Sequence, residues 1–231
     1  MPIAIVQAVA VTTTNAGPST ITLNITPNAA NNLLVVTGCM MNANTLLATV
    51  SSVSDSVDGA WTVVQANSPA GTAANNQNSF IAYKICSSTA ARTITCTWAG
   101  ATSYYSSAST AEFSGINTTA PLDSSNTATT AATGTTVSVS NTTVTAGDVL
   151  VVAVGGNLAG SAWSSPTDWR LLWNVATAGA SQDGRSVFQI GTGAASYSAT
   201  FTETGGTWFP TATMVAFKAP YITPSGAWLT A

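Results

Sequence analysis

Side chains able to do chemistry are scarce in this sequence. Among 231 residues there are eight Asp+Glu, five Lys+Arg, three Cys and no His, and charged residues make up only 6% of the chain. Without histidine there is no imidazole for general-base or metal-ligand work, and no Ser-His-Asp or Cys-His pair. Five basic residues against a net charge of −3 do not make the cationic footprint that a phosphate backbone needs, so nucleic acid is not an expected partner. The one close acidic pair before a glycine is Asp55-Ser56-Val57-Asp58-Gly59. Ca²⁺ takes about six to eight oxygens, so Asp55 and Asp58 with neighbouring carbonyls make at most a weak site. Asp-Gly is also a strong hairpin signal, and a plain turn is the preferred reading. Glycoside hydrolysis needs two facing carboxylates. Glu112, Asp168 and Glu203 are scattered, and nothing in the sequence sets two of them across a cleft. The expectation is a non-enzymatic protein without a cofactor.

Cys39, Cys86 and Cys96 show no C-x-x-C spacing, so neither a zinc site nor a dithiol motif is supported. They read as small buried hydrophobes, with a bridge between Cys86 and Cys96 left open. The aromatic residues are more suggestive. Trp163, Trp169, Trp173 and Trp208 crowd the second half, and Tyr104 and Tyr105 fall in a predicted loop of the first. An exposed indole can stack on a sugar ring. Trp208, after two glycines in ETGGTWFP, is the best candidate, with Tyr104 and Tyr105 beside it; burial in a core or an interface competes for all three. Asn24, Asn117 and Asn141 begin Asn-x-Ser/Thr sequons, the acceptor pattern for glycans.

The elements that must position these residues read as strands. An ordinary soluble domain is about 25% charged, yet 45% of this chain is hydrophobic, too much for disorder. Its longest apolar runs, at residues 33–36 and 149–154, fall short of the roughly 20 residues of a membrane helix. No membrane partner is expected. Period-two alternation recurs at Ile21, Leu23, Ile25; Ile81, Tyr83, Ile85; Ile94, Cys96, Trp98; and Val137, Val139. Bounded by Gly, Asn, Ser and Pro, these runs predict an all-β fold of antiparallel sandwich type.

The halves also match each other. Residues 20–36 align with residues 136–152 at an offset of 116. Trp61 aligns with Trp169 at 108, Tyr83 with Phe188 at 105, and Phe113 with Phe217 at 104. The offset only falls, so the first copy carries the longer loops. Two tandem, jelly-roll-like copies are predicted, at residues 1–118 and 119–220; one large jelly roll with a repeated pattern is the other organisation the residues allow. In each copy the apolar run after Asn32 or Asp148 reads as a central strand buried on both faces.

Both chain ends are apolar. IAIVQAVAV near the start and residues 221–231 at the end carry Ile3, Ile5, Val6, Tyr221, Ile222, Trp228 and Leu229. These are costly to leave in water and are the predicted packing or assembly residues. The start has no basic stretch before its apolar residues, so it is not read as a secretory signal; release by lysis, as for a virus particle, is another way out of a cell.

LLVV, SVSDSVDGAWTVV, IAYKI, TITCTWAG, AEFSGINTTAPLD and the closing MVAFKAP form an ordered series over residues 1 to about 220. The series resembles a broad group of β-sandwich proteins found in bacterial surface and secreted proteins and in tailed-phage structural proteins. The resemblance implies a structural or adhesive role with no catalytic residues to carry over. In the second half SPTDW replaces the Asp-Ser-x-x-Gly-x-Trp hairpin. The expected function is a structural subunit of an extracellular homo-oligomer, such as a fibre, filament, tube or surface decoration, joined by strand addition between copies. A carbohydrate-binding or adhesion module is the alternative, with glycans as partners.

Overall fold

The computed structural model describes residues 2–17, 19–42, 49–67, 76–99, 104–129, 134–156, 163–176, 183–193, 195–207 and 209–220. Among them there is no helix, and none therefore long and apolar enough to cross a membrane. The strands are β1 (Ala4–Ala8), β2 (Thr12–Gly17), β3 (Thr20–Ile25), β4 (Leu33–Asn42), β5 (Thr49–Asp55), β6 (Gly59–Ala60), β7 (Thr62–Asn67), β8 (Asn76–Ile85) and β9 (Arg92–Ala99). They continue with β10 (Tyr104–Ser114), β11 (Leu122–Thr129), β12 (Gly134–Val144), β13 (Val149–Gly156), β14 (Arg170–Ala176), β15 (Asp183–Ile190), β16 (Ala195–Thr207) and β17 (Thr211–Phe217). Every strand pairing is antiparallel.

Four sheets result. The first has the order β3-β9-β5-β6, the second β1-β10-β4-β8-β7 with β2 also on β10, the third β11-β17-β13-β15-β14, and the fourth β12-β16. They stack as four layers because alternate side chains of the inner strands leave on opposite faces. Leu34, Val36 and Met40 of β4 point into a core with Ile21, Leu23, Ile94 and Trp98 of the first sheet. Leu33 and Val35 of the same strand point the other way, onto Val149, Val151, Phe188 and Phe217 of the third sheet. Leu150, Val152 and Val154 of β13 then close a third core with Val137, Val139 and Phe201 of the fourth sheet. The two apolar runs are thus central strands buried on both faces, and each covers the other.

Contacts across the middle seam recur in pairs. Tyr83 meets Phe217 edge-on at 5.0 Å between ring centroids, and Phe113 meets Phe188 edge-on at 5.7 Å. By the sequence alignment Tyr83 corresponds to Phe188 and Phe113 to Phe217, so one contact is made twice with its partners exchanged. At one end of the seam the backbones come closer still. A Cβ added to Gly155 would stand 2.5 Å from Cys39 Cβ, and one on Gly184 would overlap Cys39 Sγ. Trp173 Nε1 donates to Thr37 Oγ1 at 2.7 Å across the same region.

One expectation about a single segment changes here. Tyr104 and Tyr105 are not in a loop: they begin β10, paired with Asn42 and Met41 of β4. The apolar start of the chain is β1, paired with β10.

Candidate functional site

Residues 2–3 and the stretch after β17, residues 218–220, meet at one groove. After β17 the backbone is held by Lys218 N–H on Pro121 O at 2.8 Å and by Ala219 N–H on Asp148 Oδ1 at 2.8 Å. Asp148 caps the turn before β13, where its Oδ2 accepts from Thr145 N–H at 3.0 Å. Gly147 takes φ +93 there, which an L side chain rarely adopts. Pro2 and Ile3 arrive from the other half. Together with Ile190, Ala219 and Pro220 they line a groove of ≈ 920 Å³. Its polar wall is Asp123, Asp148 and Lys218. Burial pushes the Asp123 carboxyl up and the neighbouring Asp148 carboxylate adds to this, while Lys218, at 3.9 Å, opposes both.

Of the predicted assembly residues, Ile3 is buried at this groove and in the middle core, Ile5 is half-buried against that core, and Val6 is 36% exposed on the opposite side of β1. Tyr221, Ile222, Trp228 and Leu229 lie outside the described residues, but their segment begins at Pro220, in the groove wall. Residues 2–3 and 218–220, distant in sequence, therefore come together.

Asp55 and Asp58 form a closed turn. Asp55 Oδ1 accepts from the N–H groups of Val57 and Asp58, both at 2.6 Å, and its Oδ2 accepts from Trp61 Nε1 at 2.8 Å. The Arg92 guanidinium pairs with Asp58 and stands 3.6 Å from Asp55. Burial on its own raises the Asp58 carboxyl, but Ser87 and Arg92 outweigh it and hold it below the usual carboxylate range. The positive charge beside Asp55 and Asp58 is the Arg92 guanidinium. Among the described residues no cluster of three or more Cys, Asp and Glu could hold a metal.

The other carboxylates do not converge. Glu112, fully buried on β10, accepts from Gln7 Nε2, Asn32 Nδ2 and the Asn28 N–H. Glu203 is buried on β16, and Asp168 sits exposed on the turn before β14. All three thiols are free and buried. Burial pushes the Cys39 and Cys86 thiols up, and Cys96 up to about 12, so none is a ready nucleophile. Trp61, Trp163, Trp169 and Trp173 are all buried. Tyr105 is half-buried, and Trp208 lies outside the described residues. Among the sequons, Asn24 is exposed on β3. Asn117 is half-buried and accepts from the N–H groups of Thr119 and Ala120 at 3.0 and 3.1 Å. Asn141 is 4% exposed, which leaves no room for a sugar. A shallower hollow of ≈ 340 Å³ lies between Asn24, Ser56 and Thr93. What sequence reasoning missed is the Asp123–Asp148–Lys218 wall: the three stand far apart in the chain and only the crossing of its ends joins them.

Comparison of the chain with protein-family models, curated proteins and solved structures returned no match.

Proposed function

We propose that this chain is a non-enzymatic structural subunit of an extracellular homo-oligomer, built from two jelly-roll-like copies related by duplication. The duplication is supported by strand order. The six-stranded sheet, β1-β10-β4-β8-β7, and the five-stranded sheet, β11-β17-β13-β15-β14, both set the first strand of their half beside its last, followed by the strand that carries the unbroken apolar run. The exchanged aromatic pairs add to this.

The observation that carries the assembly reading is the apolar groove at which residues 2–3 meet residues 218–220, with four large apolar residues still to follow Pro220 in the sequence. The neutral surface fits the same role. A contact between copies desolvates few charges, so it avoids the penalty that buried ions bring. Strand addition from residues 1–11 would require β1 to leave β10 and Ile3 to leave its core, so the C-terminal segment is the better connector. Electron microscopy of the full chain and of a variant lacking residues 221–231 tests this. Fibres, tubes or rings from the first and dispersed particles from the second are expected; dispersed particles from both would refute it.

The adhesion reading rests on Tyr105, which is half-buried at the start of β10. A glycan array with no hits would remove it.

A further inference from the structure

We propose that the second half lacks one strand of its outer sheet, and that the open place is a slot for residues 221–231 of a second copy of this chain. This rests on the assembly reading above and names where the copies join. In the first half, β9 is flanked by β3 on one side and by β5 on the other. β16 is the counterpart of β9, and β12 pairs with it as β3 pairs with β9. On its other side, among the described residues, β16 has the bridge Trp163↔Glu203, the Ser164 N–H on Thr202 O at 2.8 Å and the Thr202 N–H on Ser164 Oγ at 3.1 Å. Pro166 then turns the chain away, its carbonyl accepting from Trp169 N–H at 3.4 Å. No strand among the described residues pairs with Ala195 to Phe201 on that side.

The loss has a trace in the sequence. Between Val36/Val152 and Trp61/Trp169 the repeat offset falls from 116 to 108. The second copy is therefore eight residues shorter in the stretch that holds β5 in the first.

It also has a trace in burial. Val63 of β7 pairs with Ala82 and packs against the first core beneath β5. Its counterpart by ladder register is Leu171 of β14, paired with Val187, whose side chain lies in the third core. Cross-strand partners share a face, so Leu171 belongs to the same face, yet it is 51% exposed, the highest value among the large apolar residues described. The cover that β5 supplies to Val63 is missing over Leu171. The edge itself, ASYSATF, has no charge and no proline, the usual guards against strand addition.

Polarity selects the occupant. A strand in the place of β5 runs antiparallel to β16. The segment after Pro220 leaves from the groove beside Thr145, at the end where β16 begins opposite Val144. To lie antiparallel it would first have to run the length of the open edge, seven residues at about 3.4 Å each, or roughly 24 Å. Most of its eleven residues would be used before the first pairing. The same segment from another copy enters from the opposite end without that detour. In AWLTA, Ala227, Leu229 and Ala231 fall on one face, which gives Leu171 an apolar cover.

The test places the photo-cross-linking residue p-benzoylphenylalanine at position 171 of the full chain. Equal amounts of unlabelled and ¹⁵N-labelled protein are mixed, dissociated in denaturant and refolded together. The expected product joins position 171 to residues 221–231 in mixed-isotope pairs, and Leu171→Asp weakens assembly by at least about tenfold in the concentration required with an unchanged circular dichroism spectrum. Cross-links to the tail within one isotope only would mean that a chain fills its own slot, and would overturn the proposal. Assemblies that form without tail cross-links would overturn the slot and leave the assembly reading standing. A monomer at every concentration would end both.

Discussion

Arg92 illustrates how a chain with so few charges spends them. Its side chain is fully buried and joins Asp58, Asp55 and the Ser88 carbonyl, to which Nη2 donates at 2.8 Å. Removing one partner of a buried pair strands the other, so Arg92→Ala is expected to cost about 3–5 kcal/mol in urea denaturation. A loss within error of zero would contradict the turn-lock reading. The same turn sets a pH dependence. Asp58 is held below its usual range, so its stabilisation is complete above the unfolded value, about pH 4, and is lost as pH falls through the folded value. Asp123 has the opposite sign: its raised carboxyl stabilises the fold most while protonated, and that contribution is lost as pH rises through the folded value. Asp123→Asn should therefore raise the melting temperature at neutral pH and leave it unchanged well below about pH 4. An equal shift at both pH values would mean that burial of charge is not the cause. At this scale the sequence was informative about the turn and silent about the groove wall. Asp55 and Asp58 stand three apart, whereas Asp123, Asp148 and Lys218 are joined only by the fold.

At the scale of elements, the alternation of Ile21, Leu23 and Ile25 was enough to place β3, and the unbroken apolar runs were enough to make β4 and β13 central. What a run buried on both faces leaves open is its second neighbour. Nothing in LLVV or VLVVAV says that the two strands cover each other through Leu33, Val35, Val149 and Val151. The seam depends on close approach at Cys39. Gly184→Ala should cost more than about 1 kcal/mol, since the added methyl overlaps Cys39 Sγ and abuts Trp173. Pairing it with Cys39→Ala should recover part of that loss, and two strictly additive losses would deny the contact. Within one seam, Phe217→Ala is expected to cost about 3–5 kcal/mol. It removes a fully buried ring and the edge-on contact with Tyr83. Tyr104 and Tyr105 were misplaced in a loop because their neighbours GATS carry turn-forming residues, while the partner that makes them strand, β4, lies more than sixty positions earlier.

For the whole molecule, four stacked sheets bury both faces of β4 and β13. Apart from Val6 and Val57, the large apolar side chains exposed among the described residues lie at two places: Ile190 in the groove of ≈ 920 Å³ and Leu171 of β14. Both lead to the same connector, residues 221–231. The neutral surface thereby acquires a use, because few charges oppose contact between copies. The most direct measurement is sedimentation velocity of the full chain and of a variant lacking residues 221–231, over a wide range of concentration. The account predicts species that grow well beyond 23.2 kDa for the full chain and a folded monomer for the variant. A full chain that stays monomeric throughout, or a truncated chain that assembles as well as the full one, would contradict it.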